Sequence, residues 1–262
     1  MSQRSSRPSV AELRAATQPP SIFARNSGEH WAGRLYVRRL SPYATRLFLR
    51  TAITPNGVTW LMIAVGVLAG AVLTLRGVWP AVAALLLIQG QILLDCSDGE
   101  LARWKGISSP VGIYLDRIGH WLTETALPIG LGIHADGGWH HLGTWTALGL
   151  VAAILQLLVK GETALVHVAR SEAGLPKVAD RAEVAAPRRS LARTLRRAAG
   201  RAPFYRAFVA VEFTVLALLA AIADALADTL DVSRGLLAGL LAAGALTAAG
   251  HLVAILTSDR LR

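Results

Sequence analysis

The chain has 262 residues, of which 53% are hydrophobic and only 17% are charged, and its mean hydropathy is +0.44. A water-soluble domain cannot bury this much apolar surface, so the composition predicts an integral membrane protein. The formal net charge of +10 places an excess of bases outside the hydrocarbon, where anionic lipids and nucleotides are the expected ligands. The single cysteine, Cys96, excludes an intrachain disulfide or a zinc ribbon and is expected to be a small packing residue.

Residues 1–57 form a basic segment that we expect to be cytoplasmic. It lacks the apolar stretch and cleavage site of a secretory signal peptide, so membrane insertion is expected to depend on later segments. Within it, residues 31–49 (WAGRLYVRRLSPYATRLFL) mix arginines with large apolar side chains. This pattern predicts an amphipathic helix that lies on the cytoplasmic leaflet.

Six apolar stretches follow, each near the length of about 20 residues that a helix needs to cross the hydrocarbon. They are residues 58–75, 79–94, 110–133, 142–159, 204–226 and 235–256. The predicted fold class is therefore all-α, a polytopic membrane protein in which residues 58–262 form six transmembrane helices after the interfacial one. The Gly66/Gly70 and Gly235/Gly239 pairs have the GxxxG spacing of helix packing, either within the chain or in a dimer.

The distribution of basic residues predicts the orientation of these helices. Nine arginines precede residue 58 and nine Lys and Arg residues lie in 166–202, whereas the opposite connections hold only Arg76 and Arg234. Because basic loops stay cytoplasmic, both termini and the connection formed by residues 95–109 are expected on that side. Residues 190–201 fit either a second lipid-facing segment or a solvated basic loop.

Ionisable residues gather where the second stretch meets the third, and such residues are costly in a membrane unless they have a function. Asp95 and Asp98 share one helical face, while Asp116, His120 and Glu124 recur at intervals of four on the next helix. If the two helices pack antiparallel, carboxylates and the imidazole converge. The structural alternative is that these acids only terminate helices near the lipid headgroups.

Clustered carboxylates in a low-dielectric site repel one another unless cations neutralise them. Oxygen ligands at this density favour Mg²⁺ or Mn²⁺, and two such ions clamp both oxygens of an in-line displacement at phosphorus. Arg103 and Lys105 add charge for a diphosphate, and the small Gly99 and Ala102 let the backbone approach it. The pattern predicts phosphoryl-type transfer at a membrane surface. A transporter that uses the same acids is the competing interpretation, although broken helices and an internal repeat are not evident.

The spacing of these residues resembles a known signature. Residues 95–103 (DCSDGELAR), then eight residues, Gly112, three more and Asp116, match the CDP-alcohol phosphotransferase motif DxxDGxxAR(x8)GxxxDxxxD at every position but the last, where His120 replaces aspartate. The six apolar stretches, the amphipathic segment and residues 54–59 (TPNGVT) also fit the layout of that family.

The resemblance implies transfer of a substituted phosphate group from a CDP-alcohol to the hydroxyl of a second alcohol, with release of CMP. It implies a homodimer that works from the cytoplasmic side, with membrane lipids, a CDP-alcohol and a small acceptor alcohol as partners and no nucleic acid. It further implies two Mg²⁺ or Mn²⁺ ions, both held by Asp95 and Asp116, with Asp98 completing the first site. The expected substrate-binding residues are Asn56, Gly57, Val58 and Thr59 around the cytidine, and Gly99, Ala102, Arg103, Ser109 and Gly112 for the rest of the nucleotide.

His120 occupies the position of the acid that, in the family, deprotonates the acceptor and helps to hold the second metal. Imidazole can accept a proton near neutral pH or ligate a divalent ion, though not both at once. His120 is therefore a candidate catalytic base and a candidate metal ligand, and Glu124, one turn later, is expected to orient it. A pseudoenzyme that keeps the fold without turnover is the alternative.

The expected donor is CDP-diacylglycerol, in phospholipid synthesis. The residues DGELARWK, which include Glu100 and Lys105, also resemble family members that join polar inositol phosphates, so a CDP-inositol donor is the second hypothesis.

Two further sets of ionisable residues have alternative interpretations. A far-side loop, whose spacing suits a metal site or plain solvation, holds His134, Asp136, His140 and His141. The cytoplasmic ends of later stretches, where side chains either line an acceptor pocket or snorkel, hold Lys160, Glu162 and Glu212.

Overall fold

A computed structural model describes residues 8–19, 31–176 and 207–261 of the chain. These residues fold into helices with short connections, and no strand occurs among them. Two short helices come first: α1, Val10–Thr17, and α2, Arg38–Phe48, which follows directly on a π-helical turn, Gly33–Val37. Six long helices follow: α3, Pro55–Leu73; α4, Val78–Lys105; α5, Pro110–Ala135; α6, Thr144–Glu172; α7, Ala210–Ala227; and α8, Asp231–Thr257. The all-α fold class is confirmed, while residues 190–201 lie outside the described part of the chain.

Five of the long helices are long and apolar enough to cross a membrane: α3, α4, α6, α7 and α8. The sixth, α5, has 26 residues, but Asp116, His120 and Glu124 make one of its faces polar and lower its hydropathy. The five apolar helices support an integral membrane protein. The sixth span and the cytoplasmic orientation stay predictions.

The second apolar stretch continues as a helix beyond its expected end. The sequence predicts residues 95–109 as the connection between two spans, with Asp95 and Asp98 on one helical face. In the structure α4 runs through both aspartates to Lys105, and only residues 106–109 join it to α5. Hydropathy marks where the apolar residues stop, whereas a helix stops where the backbone is redirected. Here that point is Gly106, whose φ of +66° is left-handed, and the following N–H, of Ile107, donates to the Ala102 carbonyl at 2.9 Å.

The helices α3 and α5 begin with the same local arrangement, a hydroxyl residue followed by proline. Thr54 Oγ1 accepts a hydrogen bond from the Gly57 N–H at 3.1 Å, and Ser109 Oγ accepts one from the Gly112 N–H at 3.0 Å. Proline is favourable at the first helical position because no N–H is needed there. These caps fix where each helix starts and therefore which of its residues share a face.

The chain divides into two compact units. The first consists of the described residues within 1–68 and 86–123, and its large, fully buried apolar side chains are Leu13, Val37, Val58, Met62, Ile88 and Leu101. The second consists of the described residues within 69–85 and 124–262, and in it α8 packs against α6 and α7. The predicted sequence boundary at residue 57 stays a prediction.

Glycines of α3 allow close helix packing inside each unit. A Cβ atom on Gly66 would lie 2.0 Å from Thr123 Oγ1 in the first unit, and one on Gly70 would lie 2.6 Å from Ala126 Cβ in the second. This GxxxG pair therefore packs within the chain. A Cβ on Gly235 or Gly239 would meet no atom of the described residues within 4 Å.

We expect Gly70→Ala to destabilise the protein, because the added methyl group would lie 2.7 Å from the Ala126 carbonyl oxygen, which cannot move aside like a flexible side chain. The expected loss is about 1–3 kcal/mol, measured by thermal unfolding in detergent. Gly161→Ala is the matched control, since a Cβ there meets none of the described atoms within 4 Å and alanine favours a helix. An unchanged melting temperature for Gly70→Ala would contradict the close contact.

Candidate active site

Three side chains from two helices form a cluster in the first unit. Asp95 lies on α4, and Asp116 and His120 lie one turn apart on α5. His120 Nε2 is 3.1 Å from Asp95 Oδ1 and 3.6 Å from Asp116 Oδ1, and ligand atoms of all three residues lie within 4.8 Å of one another. The side chains of Asp95, His120 and Asp116 are 27%, 37% and 45% exposed. The cluster is therefore accessible to a ligand.

His120 bridges the two carboxylates. When Asp95 is ionised, its carboxylate can only accept a hydrogen bond, and Nε2 of His120 then carries the proton in this contact. A nitrogen that carries a proton cannot bind a cation or accept a second proton. Either predicted role of His120 at this nitrogen therefore requires that the contact with Asp95 opens and that the proton leaves Nε2.

Asp98 has a different environment from the other two aspartates. It is only 9% exposed, and its Oδ2 accepts a hydrogen bond of 2.6 Å from Thr59 Oγ1 on α3. In the structure Asp98 and Thr59 are bonded to each other. The roles of Asp98 as a metal ligand and of Thr59 as a cytidine contact stay predictions. Asp98 does not belong to the three-residue cluster, and its carboxylate is held in place by α3.

The starts of α3 and α5 adjoin. A Cβ on Gly112 would lie 3.1 Å from Asn56 Oδ1 and 3.4 Å from Ser109 Oγ, so the missing side chain makes room for these two polar groups. Three of the predicted substrate-binding residues are thus brought together. Gly57 lies against Ile53, and Val58 is fully buried in the core of the unit.

The guanidinium group of Arg103 lies over Gly99. A Cβ on that glycine would be 3.0 Å from Nη1 and 3.3 Å from Nη2 of the arginine. Gly99 therefore gives space to the guanidinium, one turn from Asp95. Arg103 Nε donates to the Thr17 carbonyl at 2.7 Å, and Lys105 Nζ donates to the Ile53 carbonyl at 3.1 Å. Ala102 is partly buried next to Arg103.

Glu100 is the acid of the motif to which the sequence did not assign a partner. It is fully buried, and its carboxylate accepts hydrogen bonds from Ser41 Oγ at 2.5 Å, Thr45 Oγ1 at 2.7 Å and Gln18 Nε2 at 2.8 Å. Arg38 Nη1 lies 3.9 Å away. A buried carboxylate is tolerated only with such partners, so Glu100 ties α2 to α4. One sequence feature could have indicated these partners of Glu100: Ser41 and Thr45 are four residues apart and therefore share one face of an amphipathic helix.

Cys96 is buried, as expected for a packing residue. It forms a small apolar cluster with Ala32 and Val37, and Tyr36 packs against that cluster. The motif helix α4 therefore contacts the π-helical turn through Cys96 as well as α2 through Glu100.

Glu124 and Glu162, two acids of the second unit, have partners inside that unit. Glu124 accepts a hydrogen bond from Gln156 Nε2 at 2.7 Å and pairs with Lys160 Nζ at 2.9 Å. Glu162 Oε2 lies 2.8 Å from His251 Nδ1. The hypothesis that Glu124 orients His120 stays a prediction, and so do both alternatives for Glu212.

Asp136 caps helix α6. Burial alone would raise the pKa of Asp136, but hydrogen bonds from Thr146, Gly143 and Trp145 hold that pKa below its ordinary value. His134 Nδ1 lies 2.9 Å from the Leu75 carbonyl oxygen. Across the described ranges, ligand atoms of His134, Asp136, His140 and His141 form no group with metal-site spacing.

A helical membrane protein with a cluster of carboxylates and an imidazole, and with an arginine on one of the same helices, has the features of a membrane enzyme of phosphate-group transfer. Residues 52–181 match the family model described as CDP-alcohol phosphatidyltransferase. The chain belongs to this family of phosphotransferases, which use divalent metal ions and transfer a phosphate group from a CDP-alcohol. The matched segment contains the whole motif and begins after α2. A comparison with curated proteins found no match.

Glu100→Ala is expected to destabilise the first unit, because the buried hydroxyl groups of Ser41 and Thr45 lose their acceptor. We expect a loss on the order of 3 kcal/mol, and a smaller loss for Glu100→Gln, which keeps one acceptor oxygen. Thermal unfolding in detergent measures both. Glu172→Ala at the exposed end of α6 serves as the control. Equal stability of Glu100→Ala and the parent protein would show that the buried network does not support the fold.

Proposed function

We propose that this enzyme transfers the phosphatidyl group of CDP-diacylglycerol to the hydroxyl of a small acceptor alcohol, with release of CMP, in phospholipid synthesis. The observation that carries the proposal is the cluster of Asp95, Asp116 and His120, whose ligand atoms lie within 4.8 Å of one another. The family membership supplies the class of reaction.

The donor set of this cluster suits a hard divalent cation. Two carboxylates and one imidazole provide oxygen and nitrogen ligands, which Mg²⁺ and Mn²⁺ accept. We assign Asp95 and Asp116 as the shared ligands of two such ions, with Asp98 for the first ion and His120 as a further ligand or the base. When bound, the ions neutralise the phosphate oxygens and stabilise the charge of the transition state.

The side chains of the chain itself bind the donor and move the proton. Arg103 offers two terminal nitrogens to the diphosphate oxygens, and Asn56 and Ser109 are polar contacts for the nucleotide. His120 accepts the proton of the acceptor hydroxyl as the acceptor oxygen bonds to the β-phosphorus. The bond from that phosphorus to the bridging oxygen breaks, and CMP leaves with the bridging oxygen.

Two contacts favour the lipid donor over CDP-inositol. Glu100 and Lys105 are the residues whose presence suggested a polar donor. Because both are bonded to other parts of the protein, neither is needed to explain the binding of a polar donor. Glu100 is buried against α2, and Lys105 binds the Ile53 carbonyl. CDP-inositol remains the second candidate because the motif wording DGELARWK resembles enzymes of that type. The two donors are therefore compared directly.

We also propose that the enzyme is a homodimer with its active site and both termini on the cytoplasmic side. The asymmetry of basic residues supports this orientation, and the family resemblance supports the dimer.

The first functional test is CMP release by the protein in lipid nanodiscs, with CDP-diacylglycerol or CDP-inositol and a panel of acceptor alcohols. We expect release that requires Mg²⁺ or Mn²⁺ and is faster with CDP-diacylglycerol. Asp116→Asn should slow it on the order of 100-fold or more, because the cluster loses a charged ligand. The control is Asp228→Asn, at an exposed position with a left-handed φ of 50° that asparagine accepts.

Each outcome of this assay assigns the donor or rejects the activity. Faster release from CDP-inositol would replace the lipid donor with the polar one. If the folded protein releases no CMP with either donor and any acceptor, it is a pseudoenzyme.

The role of His120 is tested by a pair of substitutions. His120→Ala should lower kcat by about 10²–10⁴, the usual contribution of a general base. His120→Asp restores the family motif and is expected to keep most of the metal-dependent turnover. The control is His140→Ala in an exposed turn. Full turnover by His120→Ala would rule out the assigned proton transfer.

A further inference from the structure

Helix α1 bonds Arg103 of the motif and the next residue, Gln18, bonds Glu100, although both lie before the segment that matches the family. We infer that α1 and the following residue, Gln18, position Arg103 for the diphosphate of the donor. This inference rests on the proposed function and adds to it an element outside the matched residues 52–181.

The helix α1 is built to stay in place. Ser9 and Glu12 form a capping box, in which each side chain accepts a hydrogen bond from the backbone N–H of the other. Leu13 and Thr17 lie one turn apart and are both fully buried in the first unit. A helix of eight residues is marginal on its own, so its packed face must supply its stability.

The end of α1 reaches two adjacent side chains of α4. The Thr17 carbonyl accepts a hydrogen bond from Arg103 Nε at 2.7 Å. Both hydrogens of the Gln18 amide are used, one on Glu100 Oε1 and one on the Arg38 carbonyl, each at 2.8 Å. The end of α1 is thus joined both to α4 and to the start of α2.

These contacts restrict the direction of the Arg103 guanidinium. Its Nε is engaged by Thr17, and its terminal nitrogens lie over Gly99, one turn from Asp95. A guanidinium binds phosphate best through two nitrogens at once, which requires a fixed plane. Fixing that plane before the donor arrives lowers the entropy cost of binding.

The opposite role for α1, a cover that keeps Arg103 from the donor, predicts the opposite sign. Undocking a positioning element weakens nucleotide binding, whereas undocking a cover strengthens it. The change in nucleotide affinity therefore separates the two roles.

The experiment measures the dissociation constant of CDP, with Mg²⁺, for the full chain in nanodiscs, and the KM and kcat of the same samples. Leu13→Ala removes the buried anchor of α1, and Gln18→Ala removes its amide contacts. We expect each to raise the Kd of CDP and the donor KM about threefold to tenfold, as for the loss of one hydrogen bond, with kcat nearly unchanged.

Matched variants separate positioning from general loss of structure. Leu13→Met keeps the buried volume and should restore the parental Kd. Ala15→Ser, at an exposed position of the same helix, should leave the Kd unchanged. Arg103→Lys keeps the charge but lacks Nε, so Leu13→Ala should add no further weakening in that background.

The outcomes separate this inference from the proposed function. If the parent binds CDP and both Leu13→Ala and Gln18→Ala bind it equally well or more tightly, the positioning role is wrong while the proposed function stands. An additive effect of Leu13→Ala on Arg103→Lys also overturns it. If the folded parent binds no CDP, the proposed function fails and the inference fails with it. Should Leu13→Ala not fold, Gln18→Ala decides the question alone.

Discussion

The repulsion between carboxylates brought together on α4 and α5 is the constraint on which the first unit depends. Each acid has a compensating group. Asp95 and Asp116 share the imidazole of His120, and Asp98 accepts a hydrogen bond from the Thr59 hydroxyl. Glu100 accepts hydrogen bonds from α2 and from Gln18. Because these partners come from several other helices, compensating the charges also fixes how α2, α3 and α5 pack against α4.

Burial separates the acids that face a ligand from those that hold the structure. Asp95 and Asp116 are partly exposed and rest on one imidazole contact each, which a cation can replace at modest cost. Glu100 is fully buried, and Asp98 nearly so, with short hydrogen bonds from hydroxyl groups. Removing those partners would leave a buried carboxylate without a donor, so Glu100 serves the fold and the Asp98 carboxylate is held in a fixed position by Thr59.

Helical periodicity explains what the sequence could predict. Asp116 and His120 are four residues apart, so their shared face follows from local geometry alone, and the short link of α4 to α5 brings Asp95 to them. Hydropathy failed for the end of α4, because polar residues such as Asp98 and Arg103 continue a helix without being apolar. Glu100 was missed because its partners Ser41 and Gln18 are 59 and 82 residues away along the chain. Such pairings depend on the tertiary fold, which periodicity does not encode.

The resemblance aligns His120 with the last aspartate of the family motif, and a histidine at that position changes the charge balance of the site. A fourth carboxylate beside Asp95 and Asp116 would add repulsion that only a cation relieves, whereas the imidazole of His120 is a hydrogen-bond partner for Asp95 and lies 3.6 Å from Asp116. Before a cation binds, the cluster is therefore better compensated than the family pattern would be. A histidine also gives the proposed cation site one negative charge fewer than an aspartate would. The site therefore attracts the cation less strongly, but its side chains are already held together before the cation binds. In the proposed reaction, charge stabilisation then depends more on Arg103, whose guanidinium is bonded to the Thr17 carbonyl and lies over Gly99.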